Sequence, residues 1–470
     1  MTGSTQEMCA GIKAASGEGM SSMNSGEKSP DKQLAAGWLA IPILGLVILA
    51  AHFLRFGDTG LAVSIVAIAG LCFTRFAWAR LVCAVVLFLG SFLWVKTGID
   101  FVQIRMAVGQ PWIRLAVIMG SVCAFSLLGA WILSLQRSAA RFYRNQAVAV
   151  SQTAVFFMTS GALWLCRVMP KKMTLLIADR FLPGSGPVEI FVIALYAVWL
   201  CGLLLDKHKQ RKARSYAWAF FSFIFFGQLA LGLMGLKTFL MTGDLHLPVP
   251  ALIVAGPLFR GSGFFMLILF TVSVLLVGAA WCSHLCYIGA WDDRLSRLHK
   301  GKTGRLPDWA PKVRIGLAVL VFAVAYAMGA AGIPVVIAVW FAAAFGLVGV
   351  GIMMFLSSRM KMMVHCSAFC PLGVMSNLLG KISPWRIRFS DNCTKCNACA
   401  AVCRYNAITP ERLDAGKPAY SCSLCRDCTA VCRHGAAELR FFGVSSPRIT
   451  HIFVVLVTSL HALFLGVARM

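Results

Sequence analysis

The chain has 470 residues, 59% hydrophobic and 13% charged, with mean hydropathy +0.77. Soluble domains run at about 45–50% apolar and about 25% charged, so a soluble enzyme is excluded and a polytopic membrane protein is expected. A net charge of +26 would suggest nucleic acid in a soluble chain, but here the basic residues sit in short loops between apolar runs. That is the pattern of cytoplasmic loops, and no aromatic-interleaved basic face for nucleic acid accompanies it.

Residues 1–33 are rich in Ser, Gly, Met and Lys without periodicity, and are expected to form a disordered cytoplasmic tail. No small-residue cleavage site follows the first apolar run, which therefore reads as a true span and not a signal peptide. Eleven apolar stretches then recur with the length needed to cross about 30 Å of hydrocarbon. They lie near 36–54, 60–76, 78–96, 113–135, 148–169, 187–205, 217–240, 263–281, 313–333, 338–357 and 450–469. The second and third are separated only by Arg75 to Arg80.

The expected fold is an all-α membrane protein of about 11 transmembrane helices with a small α+β cytoplasmic domain. Its parts are a six-span N-terminal membrane domain over 34–215, a four-span membrane core over 216–383, a cysteine-rich domain over 384–442 and a C-terminal transmembrane helix over 448–470.

Loop charges orient it. Arg137, Arg141 and Arg144 share one loop, and Lys207, Lys209, Arg211, Lys212 and Arg214 a second. Arg294, Arg297, Lys300, Lys302 and Arg305 share a third, and Arg359 and Lys361 a fourth. An even number of spans separates each pair of loops, so all four face the cytoplasm together with the N-terminus and segment 384–442. The C-terminus is then periplasmic.

Within the core one motif is repeated. Cys282-Ser-His-Leu-Cys286-Tyr-Ile-Gly289 matches Cys366-Ser-Ala-Phe-Cys370-Pro-Leu-Gly373, each copy at the cytoplasmic end of a span. A spacing of i, i+4 puts two sulfurs on one helical face. Two such pairs could present four thiolates to an additional redox or metal cofactor. A thiol–disulfide pair and buried structural cysteines are the other roles this spacing allows.

The segment 384–442 is polar and carries eight of the 18 cysteines. Cys393-Thr-Lys-Cys396-Asn-Ala-Cys399-Ala-Ala-Val-Cys403 and Cys422-Ser-Leu-Cys425-Arg-Asp-Cys428-Thr-Ala-Val-Cys432 both read C-x2-C-x2-C-x3-C, the bacterial-type run for [4Fe–4S] clusters. In such a pair the fourth cysteine of each run ligates the other cluster. Cluster one is therefore assigned to Cys393, Cys396, Cys399 and Cys432, and cluster two to Cys422, Cys425, Cys428 and Cys403. A pair of zinc ribbons also uses C-x2-C pairs, but two identical four-cysteine runs favour iron–sulfur. Arg404 and Arg433 replace the usual proline after each run, with Lys395 and Arg426 nearby. These cations either raise the cluster potentials or form a solvated basic surface.

Of the other cysteines, Cys72, Cys83, Cys123, Cys166 and Cys201 lie singly inside spans and read as small apolar side chains. No C-x-x-C-H occurs among the nine histidines, which excludes c-type haem. His461 is the one histidine well inside a span. With Glu189 and Lys237, it is a candidate for a quinone, b-type haem or proton site; core packing and interface snorkelling are the plain alternatives.

From about residue 217 to 442, these motifs resemble the NapH/NosR-type membrane polyferredoxins. The shared layout is four spans, C-x3-C after the second and fourth, then a cytoplasmic double [4Fe–4S] domain, carried here by Cys282/Cys286, Cys366/Cys370-Pro371 and the eight cysteines of 393–432. Tyr287 stands where the first repeat usually has proline. Six further spans precede the core, and the outward loops are too short for the periplasmic flavin domain of some relatives. The resemblance implies a protein of the bacterial inner membrane. It would pass electrons between a cytoplasmic or quinol donor and a membrane or periplasmic partner, in a complex with cytochrome or reductase subunits, as an electron-transfer component of a membrane oxidoreductase complex, with quinol dehydrogenase activity left open. An assembly or redox-sensing factor of a respiratory metalloenzyme, and a transporter with an attached ferredoxin, are the competing functions.

Overall fold

The computed structural model describes residues 36–170, 174–240, 247–299, 301 and 303–467. The expected tail over 1–33 and the terminal Met470 lie outside the described residues, as does the Lys237 side chain. Ten described helices are long and apolar enough to cross a membrane, and the chain is a multi-pass membrane protein. They are α1 (Gly37–Arg55), α3 (Ala77–Ala107), α4 (Ile113–Ser134), α5 (Gln146–Val168), α6 (Gly186–Leu205), α7 (Gln210–Leu233), α9 (Phe265–His284), α11 (Ala310–Ala330), α12 (Val335–Met360) and α16 (Pro447–Val467).

The stretch expected as a second span is the shorter helix α2, Thr59–Phe73. Its 12 α-helical residues end in a 3-10 turn at Leu71–Phe73, because Thr74, in extended backbone, breaks the helix before the basic Arg75. It still joins the two ends of the bundle. Gly60 sits against the Gly184 carbonyl at the start of α6, and just beyond its far end Phe76 bridges to Arg144. By contrast, α3 runs for 31 residues, well past its apolar stretch.

One end of the bundle carries the cysteine-rich domain. Strand β1 (Trp385–Phe389) buries alternate residues Trp385, Ile387 and Phe389 and turns Arg386 and Arg388 outward, as a half-buried strand requires. It pairs antiparallel with β2 (Ala437–Phe441), Ile387 opposite Leu439, and β2 pairs with the short β3 (Val444–Ser445). Helix α16 follows at once and fastens the domain to the bundle. Its Phe453 and Val457 pack with Trp385 and Leu424 of the domain, and its Val454, Val455 and Ala462 pack with Val155, Ala197 and Cys201 of α5 and α6.

Candidate functional site

The two cysteine runs fold as copies of one another. Lys395 and Asn397 in the first run, and Leu424 and Arg426 in the second, all have positive φ between 52° and 64°. Non-glycine residues enter that region at a cost. Its repetition at matching positions of two loops points to a shared requirement, namely loops that turn their backbone N–H groups inward. Each loop ends in a one-turn helix, α14 (Ala398–Val402) and α15 (Asp427–Val431).

The eight cysteines fall into two groups. Cys393, Cys396, Cys399 and Cys432 line one small cavity. Cys403, the last of the first run, lies instead in electrostatic reach of Cys422, Cys425 and Cys428. Burial pushes the Cys399 thiol up to about 11 and the Cys422 thiol up to about 12. Thiolates here therefore need a cationic body among them. The first set faces outward, with Cys396 exposed, while Cys428 is buried.

The second set lies against the bundle. Gly278 breaks α9 with φ +65°, and a Cβ there would stand 2.7 Å from Leu424 Cδ1; glycine lets the second cysteine loop approach. Trp385 Nε1 takes up the Leu276 carbonyl beside this break at 2.7 Å. Ser283 Oγ, inside the first C-x3-C, donates to the Ser423 carbonyl inside the second run at 2.8 Å.

The two C-x3-C motifs repeat in space as well. Cys286 (φ −78°, ψ 113°) and Cys370 (φ −66°, ψ 116°) both precede a nine-residue helix, α10 (Tyr287–Leu295) and α13 (Pro371–Leu379). Backbone N–H groups at the start of each helix reach these sulfurs, from Ile288 and Gly289 in one copy and Leu372 and Gly373 in the other. Each cysteine carbonyl is capped from an earlier long helix, α7 in the first copy and α11 in the second: Trp218 Nε1 donates to the Cys286 carbonyl at 2.7 Å, and Arg314 Nε to the Cys370 carbonyl at 3.3 Å. Gly289 and Gly373 are the repeat glycines because a Cβ there would overlap the Trp218 ring and the Arg314 guanidinium.

Cys282, Cys286, Cys366 and Cys370 meet around one small cavity, with Arg314, Asn377, Tyr405 and Ser423 completing its wall. Burial pushes the Cys286, Cys366 and Cys370 thiols up. Among the described residues Asn377 Nδ2 is buried without a partner, a donor left for something held in the cavity. Four cysteine sulfurs, inward N–H groups, an arginine and an unpaired amide fit a thiolate-bound iron–sulfur cluster. Among the described residues no three His, Cys, Asp or Glu close on a single ion.

The basic residues around the runs dock the domain. Arg426 is buried, and donates to Gln210 Oε1 at 2.7 Å and the Leu204 carbonyl at 3.3 Å. Arg404 donates to the Lys361 carbonyl at 2.7 Å, whereas the exposed Lys395 pairs within the domain, with Asp414 at 2.5 Å. Arg214, expected in a charged loop, is instead inside α7 and 3% exposed. It bonds Asp427 at 2.9 Å and the Ser283 carbonyl at 3.2 Å, because the helix begins at Gln210. Beside it Asp293 accepts from Ser215 Oγ and Arg297 at 2.7 Å each. Burial alone would push the Asp293 carboxyl up, but the Arg214 and Arg297 guanidiniums outweigh it and hold it well below the carboxylate range. Asp292, whose Oδ2 accepts from the Cys366 N–H at 2.9 Å, is pushed up to about 6 by burial.

The remaining candidates have separate surroundings. His461 uses both ring nitrogens, Nε2 with Tyr196 Oη at 3.0 Å and Nδ1 with the His284 carbonyl at 2.9 Å. Glu189 accepts from the Ala178 N–H at 2.8 Å. Cys72 and Cys83, read as isolated, lie 3.6 Å apart. Helix α2 ends where α3 begins, a proximity that two apolar runs do not announce.

A protein-family model described as a 4Fe-4S binding domain matches residues 259–305 and 342–390, the stretches that hold the two C-x3-C motifs. A second, also described as a 4Fe-4S binding domain, matches residues 387–409 at the first cysteine run. No curated protein and no solved structure matches the chain. The chain is thus a multi-pass membrane protein with 4Fe-4S ferredoxin-type domains, whose chemistry is that of iron–sulfur electron transfer.

Proposed function

We propose that the chain is a membrane-bound electron-transfer subunit, passing electrons between a cytoplasmic or quinol donor and a membrane or periplasmic redox partner. The observation that carries this reading is the contact between the second cysteine run and the C-x3-C set, through Ser283 to Ser423 and through the Tyr405 and Ser423 wall. It makes three four-cysteine sets contiguous, from the surface at Cys396 to the membrane end at Cys370.

Two [4Fe–4S] clusters would be held by Cys393, Cys396, Cys399 and Cys432, and by Cys422, Cys425, Cys428 and Cys403. A third would be held by Cys282, Cys286, Cys366 and Cys370. Such clusters supply one-electron redox chemistry at fixed positions. The chain's own residues set those positions: Arg214, Gln210 and Arg404 clamp the domain, and the α10 and α13 N–H groups and Arg314 favour negative charge at the third set. The basic loops beside the domain support a cytoplasmic position for that end in a bacterium, with the end of α16 periplasmic. A cytochrome or reductase subunit would approach the exposed Cys396 side or the opposite membrane face.

Anaerobically purified protein should carry about twelve iron and twelve labile sulfide per chain. Its clusters should be reduced within seconds by a short-chain hydroquinone or a low-potential ferredoxin-type donor. A count of about eight would remove the third cluster. Full cluster content without electron exchange with either donor would replace this reading with an assembly or sensing role.

A further inference from the structure

Between α12 and the segment that precedes helix α8 (Leu252–Arg260), the fold encloses a cavity of about 300 Å³. Val249 on its wall packs against Gly346, eleven residues into α12 and so about 16 Å from that helix's outer end. The cavity is therefore at membrane depth. Leu247–Pro250 is not helical, and Pro248 and Pro250 lack N–H groups. Irregular backbone is tolerated within the hydrocarbon only where protein buries it or it lines a cavity.

The walls are apolar, among them Phe226, Val249, Phe345 and Val350, and Leu347 at the rim is exposed toward lipid. Cys370 and Pro371, from the end of the second C-x3-C, close the inner side. Trp291 also lines it, but its Nε1 already donates to Ser222 Oγ at 2.9 Å. His365 is the exception. It lines the cavity, is only 6% exposed, and among the described residues its Nδ1 has no well-formed hydrogen bond, the Gly349 backbone beside it being its one weak polar contact.

The ring's place is built. A Cβ at Gly349 would stand 2.8 Å from His365 Cε1, so glycine makes the room. Phe369 flanks the imidazole at 5.3 Å and stacks on Phe345 at 4.7 Å. A buried polar nitrogen left unpaired costs about 1–3 kcal/mol. An acyl chain would leave that cost standing, whereas a flat ring bearing an oxygen would remove it and match the aromatic floor.

We propose that this cavity binds the ring of a lipid-soluble quinone, with a ring oxygen hydrogen-bonded to His365 and the tail leaving past Leu347. This rests on the electron-transfer reading and names its membrane carrier by chemical class. It places the carrier against Cys370, away from His461 and Glu189.

The test uses the full chain in lipid nanodiscs and decylubiquinone as probe, with saturable binding measured per chain and cluster EPR recorded on the same samples. About one binding site per chain is expected. His365→Leu should weaken binding about tenfold, the value of one buried hydrogen bond. Ala343→Trp, which fills the cavity from α12, should abolish saturable binding with the EPR signals intact. Val192→Trp, on a lipid-facing surface, should bind like the parent. If His365→Leu disturbs the clusters, Ala343→Trp alone decides. Absence of saturable binding, or unchanged binding in Ala343→Trp, overturns the site while an iron count of about twelve keeps the third cluster. Binding intact at about eight iron keeps the site and removes that cluster.

Discussion

Arg214 of α7 and Asp427 of the second cysteine run face each other 2.9 Å apart, each no more than 5% exposed in its side chain. They join the membrane bundle to the ferredoxin-type domain at a point between Cys425 and Cys428. Removing one member of such a pair leaves a buried charge, at a cost of about 3–5 kcal/mol. Arg214→Met should therefore expose 384–442 to trypsin in the folded protein, and broaden the EPR lines of the cluster on that run. A protease pattern identical to the parent would mean that Trp385 and α16 hold the domain unaided.

Acid should loosen the same contact. The Asp293 carboxyl is held below its unfolded value of about 3.9, so its contribution is complete above that pH and is lost as pH falls through the folded value. Urea unfolding followed between pH 6 and pH 3 should show stability falling, with a shallower slope in Asp293→Asn. That variant should be weaker by about 3 kcal/mol at neutral pH. Equal slopes would shift the acid sensitivity to other carboxylates.

Cysteines of the three kinds should separate cleanly. Cys399→Ala should lower iron by about four per chain and loosen the small domain, since cluster binding contributes folding energy. Cys370→Ala should lower iron similarly but leave the signals of the other two clusters unchanged. Cys123→Ala, in α4, where the side chain packs against the N-terminal core and its sulfur approaches the Ser91 carbonyl at 3.6 Å, should change nothing in iron content or spectra.

Orientation is tested at the chain terminus. A reporter fused after Met470 should be active only in its periplasmic form, because α16 leaves the basic end of the bundle. Activity in the cytoplasmic form would put the cysteine-rich domain on the periplasmic side and reverse the orientation read from the loop charges.

The cysteine sets were legible because ligand spacing is written directly in the chain: C-x2-C-x2-C-x3-C specifies a loop, and the repeated C-x3-C-x2-G specifies a turn into a helix. Long apolar runs likewise marked the spans. What hydropathy cannot separate is a lipid-facing from a protein-facing apolar residue, since both are equally hydrophobic. That hid the Cys72–Cys83 approach and the burial of α16. Arg214 was hidden because a charge beside other charges reads as a loop until its partner, Asp427, arrives from 213 residues away. His365 was overlooked for a similar reason, one position before Cys366. Pro248-Val249-Pro250 between apolar stretches was the available signal that backbone at membrane depth departs from a helix.

The contrast between Cys396 and Cys428 also sets how the protein ages. Oxygen and small oxidants reach the surface loop without any opening of the fold, whereas the loop against Gly278 is shielded by Leu424, Phe453 and the α16 helix. Corrosion should proceed from the outside inward. Because Cys432 and Cys403 are exchanged between the runs, the first loss would slacken the neighbour's own loop. Preparations handled in air should therefore lose iron in two stages, an early one from the surface and a delayed one that follows it, and their age could be read from the ratio.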